Sequence, residues 1–210
     1  MKRNIAVLLV AVMVVSSIML CGCKQNSVSP AKEQVITVGL EQDIGSLAPG
    51  SPSCMYKLSN LVYEPLVDLY PDFKKVPGLA TSWQASDDGR VWTFALRKGV
   101  KFHDGKPFDA EAVKFMINRN KKLNVPKYGF DLVQSMETPD PYTIKFVLSK
   151  PSYIFPSDMS MVFNAIVSPD CLDAEGEKVV KAIGTGPFKF ESWTKGQEIV
   201  LVRNDDYWGQ

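Results

Sequence analysis

The stretch from Leu79 to Ile117, LATSWQASDDGRVWTFALRKGVKFHDGKPFDAEAVKFMI, leaves this chain little conformational choice. Trp92, Phe94 and Leu96 alternate with Val91, Thr93, Ala95 and Arg97, the two-residue period of a strand with one face on a core. Asp87-Asp88-Gly89 ahead of it reads as a hairpin turn, because Gly takes positive φ without a Cβ clash, and so places a first strand before it. Asp104-Gly105 makes a second turn. Asp109 is then positioned to accept a hydrogen bond from a free helix N–H as an N-cap. Phe108 and Val113 flank that cap as a hydrophobic staple, and Glu111 sits at the positive end of the helix. Val113, Met116 and Ile117 give the helix one apolar stripe. Strand, turn, strand, turn and capped helix together specify an α+β scaffold and carry no chemistry.

Residues 1–22 read as a lipoprotein signal peptide rather than as part of the fold. Lys2 and Arg3 form a basic start, and Ile5 to Leu20 is an uncharged run of 16 residues, short for a spanning helix, which needs about 20. The run ends in Leu20-Cys21-Gly22-Cys23, which resembles a bacterial lipobox. Cleavage after the small Gly22 exposes Cys23, whose thiol would take a diacylglycerol, and about two acyl chains are what stable anchoring requires. The competing reading is an uncleaved anchor helix. Residues 23–34, polar and containing Ser, Pro and Lys, read as a flexible tether. Without the first 22 residues the chain holds 22 basic against 23 acidic residues, a balance that offers nothing to nucleic acid. Beyond Cys23 the mature chain has Cys54 and Cys171, which read as two free or buried thiols in preference to a disulfide.

The fold proper is expected over 35–210. Val35 to Leu40 is a candidate first strand, followed by a loop to Ser53, which would cap a helix running to about Tyr63. Leu66 to Tyr70 is a short strand. Phe130 to Met136 predicts a short helix, and Pro139-Asp140-Pro141 turns into a half-buried strand carrying Tyr142, Ile144, Phe146 and Leu148. Phe155 to Met161 predicts helix, Phe163 to Val167 a buried strand, and Ser168-Pro169 a helix start. Phe188 to Trp193 and Glu198 to Arg203 are strands about a Lys195-Gly196 turn, and the two aromatics Tyr207 and Trp208 that follow are expected to be exposed, with apolar surface bare around them.

Catalytic signals fail one by one. His103, the single histidine, reads as a polar turn residue, and no G-x-S-x-G elbow accompanies it. One histidine and scattered cysteines cannot make a zinc site from this chain alone. Gly184-x-Gly186 lacks the third Gly of a dinucleotide fingerprint and the Lys of a phosphate loop. No enzyme and no cofactor are implied.

Four runs, NLVYEPLVDLY from Asn60, SW-x-x-S-x-DG-x-x-WTF-x-LR-x-x-VKF-x-x-G-x-PF-x-A within the opening stretch, IGTGPF from Ile183 and VRNDDYWG from Val202, resemble the family 5 extracytoplasmic solute-binding proteins of ABC importers, the peptide, opine and nickel type. The resemblance runs in order from about Val35 to Gln210 and implies a periplasmic-binding-protein-like, two-lobed receptor that closes on its ligand by hinge motion. Family members are larger, so it also implies that this chain supplies about one lobe plus a subdomain, the N-terminal portion of an incomplete domain. The implied function is lipid-anchored capture of di- or oligopeptides at the extracytoplasmic face of the membrane, as a monomer, for delivery to ABC permease subunits. Nickel or another metal chelate, opines and small sugars are the competing ligands. Nickel-type members carry an arginine where this chain reads MSMVFN, from Met159 to Asn164, which weighs toward peptide. By analogy the ligand wall would draw on Ser53, Cys54, Met55 and Tyr56 and on Thr185 and Gly186, although each has an ordinary reading as core or turn. A truncated surface lipoprotein that binds nothing and an exported hydrolase are the readings from other classes.

Overall fold

The computed structural model describes residues 35–49, 51, 58–123, 128–173 and 178–209. The chain divides into two units between Gly39 and Leu40. Of the first, the described residues 35–39 are in neither helix nor strand, and Val35, Ile36 and Val38 are exposed. The strand expected at Val35 to Leu40 is therefore absent. β-prone residues alone do not make a strand, whose backbone groups need a ladder partner.

The second unit is built on a four-stranded antiparallel sheet. Strands β3 (Ala80–Ala85) and β4 (Val91–Leu96) form the predicted hairpin, β6 (Thr143–Leu148) lies on the other side of β4, and β5 (Val133–Asp140) is the outer strand beside β6. Gly89 turns the hairpin at φ 66°, where a side chain would be strained. In register, Trp92 faces Phe146 and Phe94 faces Ile144, so the apolar positions of β4 and β6 share one side of the sheet. Helix α2 (Ala110–Lys122) buries Val113, Met116 and Ile117 in the same core, each contributing about 1.5 to 3 kcal/mol. Its cap is the one expected: Asp109 Oδ1 accepts from the Ala112 N–H at 2.9 Å. Rings close the core, with Phe94 edge-on to Phe146 at 5.4 Å and Phe146 at 5.2 Å from Phe155.

Smaller elements surround this sheet. Helix α1 is a single turn, Ser59–Val62; the Ser53 cap expected for it lies outside the described residues. Strands β1 (Val67–Leu69) and β2 (Lys75–Pro77) pair with each other, as do β7 (Phe188–Thr194) and β8 (Glu198–Arg203).

Three further expected elements differ. The helix expected at Phe130 to Met136 is a 3-10 turn, Phe130–Leu132, that gives way to β5, because Met136 and Glu137 find partners in Phe146 and Lys145 of β6. Pro139 is tolerated there because β5 is an edge strand. The helix expected at Phe155 to Met161 is the single turn α3 (Phe155–Asp158). Asn164 to Val167 are buried, with Phe163 half-buried, but the segment is not a strand: a 3-10 turn, Val162–Asn164, leads to one isolated bridge between Ile166 and Glu64. A short, mostly apolar run favours burial and leaves the backbone to whichever partner lies alongside.

Candidate functional site

Pro65 sets the geometry around Glu64. The residue before a proline is pushed out of helical conformation, and Glu64 accordingly leaves α1 in extended form, with its carbonyl accepting from the Ile166 N–H at 2.9 Å. Its side chain is thereby turned inward and is only 8% exposed. Oε2 accepts from the Thr185 hydroxyl at 2.7 Å and from Trp208 Nε1 at 2.6 Å, and Oε1 accepts from the Tyr207 hydroxyl at 2.7 Å. The Arg97 guanidinium lies over the Trp208 ring, 4.2 Å from its centre, and donates to the Gly78 carbonyl. Burial raises the Glu64 pKa, and the three donors only partly oppose it. The Tyr207 hydroxyl is raised in turn, by burial and by the carboxyl beside it. Tyr207 and Trp208 are thus half-buried partners of Glu64 and Arg97, not the exposed rings expected.

Thr185 belongs to a backbone crossing that admits no side chain on either flank. A Cβ on Gly184 would lie 2.0 Å from the Val62 carbonyl oxygen, and one on Gly186 would lie 2.6 Å from that of Leu61. The crossing is bonded as well as packed, since the Gly186 N–H donates to the Val62 carbonyl at 3.0 Å. Thr185 itself is fully buried. The Gly186 carbonyl accepts from Asn204 Nδ2 and faces His103 Nε2, both at 3.0 Å. Both ring nitrogens of His103 are engaged by this crossing, for Gly184 N–H donates to Nδ1 at 3.3 Å. Burial lowers its pKa. A histidine spent in this way on backbone has no nitrogen left to activate a nucleophile.

A separate open groove of about 620 Å³ is lined by Tyr128, Asp131, Leu132, Lys150, Ile154 and Asp158 among others. Asn164 ties two of its segments together, donating to the carbonyls of Tyr128 and Asp158. Burial, with Asp131 nearby, raises the Asp158 pKa. Among the described residues no group of three or more His, Cys, Asp or Glu is placed to hold a metal. Cys171 is free and buried, its thiol pushed up to about 12 by burial.

Of the residues expected at the ligand wall, Ser53, Cys54, Met55 and Tyr56 lie outside the described residues, as does the lipidation candidate Cys23. Thr185 and Gly186 come together with Glu64, His103, Asn204, Tyr207 and Trp208. Glu64 and Trp208 sit in two of the runs that carry the family resemblance, but nothing in either run says that they touch across 144 positions.

Residues 74–210 match the family model of bacterial extracellular solute-binding proteins, family 5 Middle. The probable D,D-dipeptide-binding periplasmic protein DdpA of Escherichia coli is 41% identical over 62% of this chain and 27% of its own length. The dipeptide-binding protein of the same organism is 31% identical over 96% of this chain and 41% of its own. The crystal structure of NikA from Brucella suis in complex with Fe(III)-EDTA superposes with a TM-score of 0.75 at 35% identity, covering 82% of this chain and 36% of that one. This chain therefore spans less than half the length of each, and its mixed helix and sheet fold corresponds to part of the two-lobed periplasmic-binding-protein fold. These relatives are solute-binding proteins, not enzymes. The chain belongs to family 5 of the bacterial extracellular solute-binding proteins.

Proposed function

We propose that this protein captures short peptides outside the cytoplasmic membrane for an ABC importer and is held there by a diacyl lipid on Cys23, with 23–34 as its tether. The observation that carries the peptide reading is that two relatives named for dipeptide binding match it, one at 41% identity and one along 96% of this chain. The protein acts as a monomer that docks on permease subunits. Ser53 to Tyr56 and the backbone about Thr185 and Gly186 form one wall of its cleft. Thr185 and Gly186 are both buried, and the Thr185 hydroxyl is taken by Glu64, so they support that wall from behind rather than touch the ligand.

A metal-chelate ligand is the second reading, favoured by the likeness to NikA bound to Fe(III)-EDTA. Against it, Met159 to Asn164 offers no cationic side chain, and both Met159 and Asn164 are buried. Thermal unfolding of the protein expressed from its complete reading frame separates the two. A ligand present at about 100 times its Kd adds roughly 2.7 kcal/mol. Stabilisation by di- and tripeptides is expected; stabilisation only by nickel or iron chelates would establish the second reading, and none by either would make this a surface lipoprotein that binds neither. Labelled fatty acid should enter the wild-type protein and be lost on Cys23→Ser. Retention of label by that variant would remove the anchor assignment.

A further inference from the structure

We propose that His103 is a positioning residue that latches the Gly184–Gly186 crossing in its neutral form and releases it when protonated. The assignment rests on what each partner can do. The Gly186 carbonyl, 3.0 Å from Nε2, only accepts, so Nε2 carries the hydrogen. The Gly184 N–H, 3.3 Å from Nδ1, only donates, so Nδ1 carries the lone pair. A third bond, from the His103 N–H to the Gly184 carbonyl at 2.9 Å, holds the two segments in register. One tautomer of the neutral ring satisfies all three. The imidazolium cannot, because a proton on Nδ1 points an N–H at an N–H, and Gly184 is packed closely enough that a Cβ built on it would lie 2.0 Å from the Val62 carbonyl oxygen.

The surroundings set the sense of the switch. Burial and Lys189 of β7 disfavour the charged ring, while the bond to Gly186 and neighbouring Asp104 favour it. Asp104 is itself engaged, accepting from the Ser168 hydroxyl and the Lys106 N–H. Lys189 is paired with Asp206, and Lys106 with Asp170. Glu64 reaches the crossing only through Thr185. Because the closed form resists the proton, it weakens as pH falls from about 6.5, the value of a free histidine, toward the lower folded midpoint. Glu64 acts in the opposite sense, since its raised pKa makes the folded form take up a proton first. The latch concerns the chain's own backbone and stands whichever ligand the protein takes.

His103 is the only histidine, so in untagged protein its ring gives the only imidazole resonances. Nitrogen NMR of the ring should find the Nε2–H tautomer with a midpoint below 6.5, and the protection factor of the Gly184 amide should fall by up to about tenfold per pH unit between that midpoint and 6.5. His103→Gln, which retains a donor for Gly186 and does not titrate, should lose that pH dependence. The wild-type titration decides the matter even where the variant does not fold. A midpoint at or above 6.5, the Nδ1–H tautomer, or a Gly184 protection factor that stays level or rises as pH falls would each overturn the latch.

Discussion

Burying the Glu64 carboxyl costs several kcal/mol unless its oxygens find donors, and here three side chains from two distant segments supply them. Removing the acceptor strands those donors. Thr185 is the most affected, since it is fully buried, and an unmet buried donor costs about 1 to 3 kcal/mol. Glu64→Ala is expected to lose about 3 kcal/mol by urea denaturation. Glu64→Gln should lose less than about 1 kcal/mol, because its carbonyl can serve Thr185 and Trp208 while its amide donates to a Tyr207 hydroxyl turned round to accept. The two proteins should also differ with pH. The folded pKa of Glu64 lies above its unfolded value of about 4.3, so wild-type stability falls as pH rises through that interval, and Glu64→Gln escapes the loss. A stability difference between wild type and Glu64→Gln that stays constant from pH 4 to 7 would contradict the assignment. Cys171 gives a second residue-scale test. With its thiol pushed up to about 12, it should resist alkylation at pH 8 in the folded protein and react in denaturant, as read by peptide mapping. The Glu64 cluster is not legible in the sequence, where Glu64 is one more acidic residue beside a proline, whereas Cys171 reads there as a free or buried thiol and is both.

Elements differ in how far their own residues decide them. Helix α2 contains its start signal: Asp109→Ala should cost about 1 kcal/mol, read as a lower denaturation midpoint with unchanged slope. The Gly184–Gly186 crossing is decided by what it passes. Gly184→Ala puts a methyl group 2.0 Å from the Val62 oxygen, and the expected loss is about 3 kcal/mol, at the upper end of overpacking. Gly39→Ala, with nothing within 4 Å, should change stability by less than about 0.5 kcal/mol and serves as the control. This contrast explains which elements could be read in advance. The β3–β4 hairpin, α2 and the β7–β8 hairpin have turn, cap and period signals within a few residues of one another. β5 and the segment from Phe163 to Val167 do not. Met136 sits three positions after Val133, as on a helix face, and only its pairing with Phe146 makes that segment a strand. At Ile166 the deciding partner is Glu64, about a hundred residues earlier in the chain.

At the scale of the whole second unit, one apolar cluster runs from Ile44 and Tyr63 through Phe94, Phe146 and Phe155 to Cys171, and Trp83, Trp193 and Trp208 pack against it. The sheet and the Glu64 region are therefore not separate cores. Arg97, directly after β4, stacks on Trp208, and Asp43 ties the β7–β8 hairpin back to Ile44 by accepting from Trp193 Nε1 and the Gly196 N–H. Such a unit should unfold in one step. Phe146→Ala tests this at a point remote from the Glu64 cluster: deleting a fully buried ring costs about 3 to 5 kcal/mol. With Trp83 and Trp92 changed to Phe, fluorescence reports Trp193 and Trp208; with those two changed instead, it reports the sheet. Each pair of changes shifts stability by its own amount, so Phe146→Ala is added to both backgrounds and compared with its parent. The expected result is the same loss from both sets of tryptophans and from far-ultraviolet circular dichroism, with the transitions coincident within each background. A loss confined to the sheet tryptophans would divide the unit. The Glu64 cluster would then be a second cooperative element that Arg97 and Asp43 merely touch.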